Sequence, residues 1–300
     1  MFDKLYRKLF LSPYFFKIAI CKRENDSILD RKRFIIDKII PGTYKKWSAD
    51  PILVENEGKT YMFYEAVVKD KGHIEVVEVY DDCSVSEATI VIKDNCHYSY
   101  PFVFKHLDCW YMIPESSEAN EVRLYKAVCF PYEWECVAIL LKGKYVDTTI
   151  LENNGDLILL TFIPSLLSEK VEPQAYKLHL DDQEYGVTPI EWRSYNALRV
   201  RGAGPIIVEK DGIYRPSQIN CENSYGDGLS FNKIDISQSG VSENVCCELF
   251  SQSIITTYKN ISGLHTYTRT DKFEAIDVRC REFDLFKTVK YILKKMINNR

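Results

Sequence analysis

Two stretches of the chain repeat one order of apolar and polar positions. Pro51-Ile-Leu-Val-Glu-Asn-Glu-Gly-Lys-Thr-Tyr-Met-Phe-Tyr-Glu65 and Pro101-Phe-Val-Phe-Lys-His-Leu-Asp-Cys-Trp-Tyr-Met-Ile-Pro-Glu115 each run from proline through an apolar strand, a polar turn and Tyr-Met to a glutamate, at the same spacing. A third copy starts at Thr148 and passes through Asn153-Asn154-Gly155; a fourth runs from Pro205 through Lys210-Asp211-Gly212 to Gln218. Such turn residues suit tight hairpins between strands. Each hairpin precedes a third strand-like run, at His73–Val79, Glu121–Val128, Ala175–Leu180 and Leu229–Ile236. A fifth copy shows only its later half, at Leu264–Arg269 and Ala275–Arg279, and Phe15–Lys22 reads as a strand able to close a ring by joining it. Multi-stranded units recurring every ~50 residues are propeller blades. A two-sheet sandwich is the competing arrangement, but it needs no fixed internal period. The expected fold is all-β: a five-bladed β-propeller over 15–283, with an amphipathic segment at 1–14 and a basic amphipathic helix at 284–300.

A hairpin brings the residue entering its first strand beside the one leaving its second. Asp50 and Glu65 therefore share a rim, as do Tyr100 and Glu115, Asp147 and Phe162, and Gly204 and Gln218. Radial blades gather these rims at one mouth of the channel, which becomes the expected ligand site. The candidate residues there are Asp50, Glu65, Glu115, Asp147, Arg201, Arg215 and Gln218, with His97, Tyr98, Tyr100, Tyr225 and His265 around them. Carboxylates crowded in a partly buried pocket push one another's pKa values apart, the condition for pairing an acid with a base. Glycoside chemistry uses such a pair. Arginines suit a sugar carboxylate or phosphate, and tyrosines and Trp47 suit the apolar faces of sugar rings. Each residue also has a plainer reading: Asp50 as a turn residue before proline, the glutamates as solvated strand ends, Arg215 as a brace for carboxylates, the histidines as hydrogen-bonded scaffolding.

Composition narrows the class. A net charge of -4 and a pI near 5.8 argue against nucleic-acid binding, which needs a basic face. The ten cysteines form no C-x-x-C pair, and the charged residues Asp3, Lys4, Arg7 and Lys8 interrupt any leader-like run. The expectation is a cytoplasmic chain whose cysteines are mostly small buried hydrophobes, with no metal site and no cofactor; a structural cation in the channel stays open.

Taken together, Trp47-Ser48-Ala49-Asp50-Pro51, His97-Tyr98-Ser99-Tyr100-Pro101, Tyr111-Met112-Ile113-Pro114-Glu115, Phe130-Pro131-Tyr132-Glu133-Trp134, Tyr214-Arg215-Pro216-Ser217-Gln218 and Tyr225-Gly226 resemble the N-terminal propeller domain of glucosamine inositolphosphorylceramide transferases, over roughly Phe16 to Arg281. That family is similar to the five-bladed propellers of glycoside hydrolase family 43. The second resemblance implies Asp50 as the base and Asp147 as the aspartate that tunes the acid. The stretch Arg201-Gly202-Ala203-Gly204-Pro205 has no glutamate where those hydrolases carry their acid, so Glu115 from the second blade is the candidate donor. The resemblance places transferase chemistry in a separate downstream domain.

Near the C-terminus, Leu285, Val289, Ile292, Leu293 and Met296 recur at helical spacing among Lys287, Lys290, Lys294 and Lys295, and Phe2–Leu11 has a similar mixture. Basic amphipathic helices either cap a fold or lie on an anionic membrane. The expected function is making or breaking a glycosidic bond in surface-polysaccharide or glycolipid assembly. The partner would be a glycan, a nucleotide-sugar or a lipid-linked glycan, with peripheral membrane contact through the terminal helices. The alternative is a non-catalytic glycan-binding propeller that presents substrate to partner enzymes.

Overall fold

The computed structural model describes residues 10–289, apart from 25–26, 166–169, 182–183, 221–224, 238–239, 259 and 285–287. Five antiparallel sheets follow one another along the chain. Blade one holds strands Lys46–Asn56, Lys59–Val68, Lys71–Val79 and Thr89–Ile92; blade two holds Ser99–His106, Cys109–Glu115, Glu121–Cys129 and Glu133–Lys142. Blade three comprises Val146–Asn153, Asp156–Pro164, Val171–Asp181 and Glu184–Ile190, and blade four Ile207–Glu209, Gly212–Ile219, Gly228–Ser237 and Gly240–Phe250, with Trp192–Ser194 added in parallel at its outer edge. Blade five is composite. Its inner strands Ile261–Arg269 and Phe273–Cys280 come from the end of the chain, and Phe15–Lys22 pairs with Phe273–Cys280 over its whole length. The two ends of the propeller are thereby hydrogen-bonded together, which closes the ring and removes an open edge.

Apolar side chains fill every gap between neighbouring blades. Phe63, Ile74 and Val76 meet Val103 and Met112 between blades one and two; Ile113 and Leu124 meet Leu157 and Leu159 between two and three. In the next gap, Ile158 and Leu160 of blade three meet Ile234 and Val241 of blade four. Phe231 and Leu229 pack on Leu264 and Ile276 between four and five, and Ile18 and Ile20 pack on Met62 and Val77 to complete the circle. Each fully buried side chain of this kind contributes about 1.5–3 kcal/mol. The inner strands bury both faces, which is why they read as near-continuous apolar runs. The fourth strands, half-exposed as at Glu133–Lys142, have no such signature.

The expected helical ends are not supported as elements: the named elements are strands and two three-residue 3-10 turns, Ser117–Ala119 and Ser251–Ser253, and only Phe10, Thr288 and Val289 are helical among the described residues. Most of both segments (1–9, 285–287 and 290–300) lies outside the described residues, and the proposed membrane contact with them. No helix among the described residues is long and apolar enough to cross a membrane. The cysteine expectation is also corrected. All nine described cysteines are free, but only Cys21, Cys83 and Cys280 are buried, while Cys129, Cys136 and Cys246 are exposed on outer strands.

The inner strands share a distortion near the channel mouth. Blade one pairs Ala49 with Glu65 and then Ile52 with Phe63, so Asp50 and Pro51 together face one partner residue. The same bulge recurs at Tyr100-Pro101 and Asp147-Thr148. Asp50, Tyr100 and Asp147 take left-handed φ values of 52°, 43° and 51°, and Gly204 stands in the corresponding place before Pro205 at 132°. Proline is tolerated beside such an interruption because the ladder there needs no N–H from it. A Cβ on Gly204 would lie 1.8 Å from the Tyr267 carbonyl oxygen. Gly204→Ala is therefore expected to cost roughly 2–4 kcal/mol, read as a lowered urea midpoint; an unchanged midpoint would contradict this packing.

Candidate functional site

The bulges decide which side chains reach the channel. Left-handed backbone at a non-glycine residue costs about 1–3 kcal/mol and persists only where the surroundings fix it. Asp50 is fixed by blades two and five. Its Oδ2 accepts the Tyr100 N–H (3.1 Å), its Oδ1 accepts the Thr266 hydroxyl (2.8 Å), and its own N–H donates to Asp277 Oδ2 (3.0 Å). Tyr100, fully buried, reaches across the channel: its hydroxyl bonds Thr149 Oγ1 (3.0 Å) and accepts the Gly204 N–H (2.7 Å). Asp147 accepts from Arg201 Nε at 2.6 Å, and the Arg201 guanidinium lies over the Tyr225 ring, 4.8 Å from its centre. The Tyr225 hydroxyl bonds His265 Nε2, and His265 Nδ1 lies 2.8 Å from Asp277 Oδ2 and 3.2 Å from Asp50 Oδ1. A continuous circuit thus joins all five blades.

Two glutamates flank this circuit from equivalent places on neighbouring second strands. Glu65 pairs with Ala49 and Glu115 with Ser99, each beside a bulge residue. Glu65 Oε1 bonds His97 Nε2 at 2.9 Å, and Glu115 Oε1 accepts the Ser117 hydroxyl at 2.7 Å. Their second oxygens make no hydrogen bond among the described residues. The two terminal nitrogens of Arg201 likewise make none.

The carboxyl groups have different electrostatic fates. Burial works against the charge of Asp50, but the His265 imidazole and the donors from His265, Thr266 and Tyr100 outweigh it and hold Asp50 below the usual range. Burial pushes Glu115 up to about 7, helped by the Asp147 charge and opposed by Arg201. Burial also carries Glu65 up to about 7, against the His97 hydrogen bond, and raises Asp147 despite Arg201. His265 is buried, which disfavours its charge, yet Tyr225, Asp277 and Asp50 together raise it well above the ordinary imidazole value. The mouth therefore holds a carboxylate kept ionised beside a carboxyl group that keeps its proton up to about pH 7.

Of the residues singled out from the sequence, the circuit and its flanks bring together Asp50, Glu65, His97, Tyr100, Glu115, Asp147, Arg201, Tyr225 and His265. Gln218 lies next to it, donating to the Gly202 carbonyl (2.7 Å). Two are not brought to the channel. Arg215 is buried inside blade four, bidentate on Glu243 (2.8 Å to each oxygen) between the Phe162 and Trp192 rings, so it has no face for a ligand. Tyr98 is sealed between blades one and two, where its hydroxyl joins Asp94 (2.8 Å), Tyr125 (3.1 Å) and Arg123 (2.6 Å). Trp47 is half-buried, its ring 6.0 Å from that of Phe16, and packs on the blade-five core.

The sequence reading missed Thr266 and Asp277. Asp277 is wholly buried, accepts the N–H groups of Asp50 and Thr266, and faces His265. An acid set between Ile276 and Val278 in the strand Phe273–Cys280 was the available signal, since a buried carboxylate requires partners. Asp50, His265 and Asp277 are also the one metal-ligand set found among the described residues, with ligand atoms within 4.8 Å of one another. Here a ring nitrogen facing two carboxylates already satisfies that set through its own proton.

The family model for "Glucosamine inositolphosphorylceramide transferase 1, N-terminal" matches residues 38–267. The chain belongs to this family. It is 29% identical over 197 residues to glucosamine inositolphosphorylceramide transferase 1 of Oryza sativa subsp. indica, covering 62% of this chain and 26% of that protein. For the Arabidopsis thaliana protein the match is 28% over 208 residues, 65% and 26%. The family member described here thus spans about a quarter of these curated relatives. Among solved structures, an alpha-L-arabinofuranosidase from Podospora anserina in complex with cellotriose aligns with a TM-score of 0.55 at 11% identity, over 77% of this chain and 90% of that one. A GH43_1 enzyme from Xanthomonas citri gives 0.54 at 9%, over 79% and 87%. A Bombyx mori GH32 beta-fructofuranosidase gives 0.53 at 15%, over 69% and 52%. At these identities the likeness is one of fold, the five-bladed propeller.

Glu65 and Glu115 are raised in the folded state, so each contributes stability that is fully present below its unfolded value of ~4.3 and is lost as pH rises through about 7. Glu115→Gln is expected to flatten the decline in urea midpoint between about pH 5 and 8. A variant whose midpoint falls as steeply as that of the parent would contradict the assignment.

Proposed function

We propose that the channel mouth acts on a glycosidic bond, with Asp50 and Glu115 as the chemical pair. The opposed electrostatic fates of these two carboxyl groups carry the reading. Glu115, protonated near neutral pH, gives its proton to the departing glycosidic oxygen, while ionised Asp50 faces the positive charge that develops at the anomeric carbon. Asp147, bound to Arg201, keeps Glu115 from ionising early. The terminal nitrogens of Arg201 take an anionic group on the substrate, as guanidinium does with phosphate. The relatives' name speaks of glucosamine and inositolphosphorylceramide, which favours an amino sugar and a phosphate-bearing lipid or nucleotide-sugar among the candidates. No cofactor enters this chemistry.

One observation favours a second reading, a glycan-binding module without turnover. The blade-four stretch Arg201–Pro205 carries no glutamate to serve as an acid, and its Gly204 N–H is capped by Tyr100. A panel of nucleoside-diphosphate sugars, lipid-linked glycans and aryl glycosides separates the two readings. Product formation is expected, with Asp50→Asn reducing it about a hundred- to a thousand-fold at an unchanged melting temperature. Saturable binding with no product would support the module instead, and a fully active Asp50→Asn variant would remove the proposed pair.

A further inference from the structure

Asp50 is poorly placed to collect a proton. Both its oxygens already accept hydrogen bonds, its residue is only 4% exposed, and the surrounding donors stabilise its charge. A carboxylate so satisfied holds a neighbouring positive charge well but is a weak base. Any transfer or hydrolysis at an anomeric carbon also needs a group to take the proton of the incoming hydroxyl.

We propose that Glu65 is the general base of this site and that His97 positions it. The inference rests on the reading above and adds the proton acceptor. Glu65 occupies in blade one the place that Glu115 occupies in blade two, so one position of the repeat, used twice, supplies both partners of the proton transfer. Its Oε1 is held by His97, and its Oε2 makes no hydrogen bond among the described residues. The orientation of His97 is fixed. Nδ1 accepts the Gly72 N–H at 3.0 Å, so Nε2 carries the ring proton and must donate it to Glu65. Glu65 raises His97 above the ordinary imidazole value, but a second proton on Nδ1 would break the Gly72 bond; in the proposed step the proton passes to Glu65. Gly72 has to be glycine for this approach: a Cβ there would sit 2.5 Å from the Tyr98 carbonyl oxygen and 2.7 Å from Glu65 Oε1.

The charged groups facing the pair distinguish it from Glu115. Glu65 meets His97 and His265 on one side and Asp50 on the other; His97 also faces Glu115 and Glu118, and Glu118 is tied to Lys71 at 2.5 Å. His97 favours the ionised form of Glu65 against Asp50, through a direct hydrogen bond, whereas Glu115 bonds only the neutral Ser117 hydroxyl and faces Asp147 and Arg201. In the step, the acceptor oxygen bonds to the anomeric carbon and its proton passes to Glu65 Oε2. The old glycosidic bond breaks, and the departing oxygen takes the proton of Glu115. Release of the Glu65 proton to solvent and reprotonation of Glu115 restore the site.

Turnover of a panel of 4-nitrophenyl glycosides, whose leaving group needs little help from an acid, tests the assignment. Glu115→Gln is expected to retain most of this activity. Glu65→Gln is expected to lose about a hundred- to ten-thousand-fold, and azide, which has no proton to surrender, is expected to restore it. His97→Ala removes a donor that favours ionised Glu65, so the acidic limb of the pH profile moves to higher pH, and His97→Gln moves it back. A Glu65→Gln variant as active as the parent, or one that azide does not rescue, overturns the role of Glu65 while leaving the Asp50–Glu115 pair standing. If the parent turns over no glycoside of the panel, the underlying functional reading falls and the base with it.

Discussion

The left-handed bulge at the inner end of blades one to three is the constraint from which the site follows. A regular strand would send Asp50, Tyr100 and Asp147 alternately toward one neighbouring blade and the other. The extra residue breaks that alternation, and the φ values near 50° aim these side chains at the axis instead. Backbone strain of this kind is kept only where other contacts compensate. The bonds from Asp50 to Tyr100, Thr266 and Asp277 supply them, and they belong to other blades. Site and ring closure are therefore one structural fact: Asp50 is held in place by residues some 216 and 227 positions further along the chain.

That arrangement also sets the electrostatics. Collecting Asp50, Glu65, Glu115 and Asp147 around one channel would be untenable if all were charged and dry. The cations Arg201 and His265 offset part of the charge, and partial protonation of the two glutamates around pH 7 removes more. Asp277, hydrogen-bonded on both oxygens and sealed from water, orients His265 and through it Tyr225. The buried Arg215–Glu243 pair has a different part, joining two strands of blade four under aromatic cover.

Much of this was legible in the sequence for a physical reason. The inner hairpins are buried on both faces, so their apolar runs and Gly-containing turns repeat visibly, and Phe15–Lys22 could be recognised as the closing strand. Outer strands such as Glu133–Lys142 have water on one side and no repeated composition, and they could not be recognised. Asp50-Pro51 looked like a turn at strand entry; its place within Lys46–Asn56 as a bulge depends on pairing that local sequence does not encode. Arg201 and Arg215 were indistinguishable by residue type. Only the fold puts one beside Asp147 and the other on Glu243, which lies on the outer strand of the same blade.

The central claim is that one mouth keeps Asp50 ionised while Glu115 holds its proton up to about pH 7. Titrating the side-chain carboxyl carbons by 13C NMR, with Asp50→Asn and Glu115→Gln samples to assign the signals, reads it directly. The account predicts that Asp50 titrates below the ordinary aspartate range and Glu115 at about 7. Both groups titrating together at ordinary carboxylate values would contradict it.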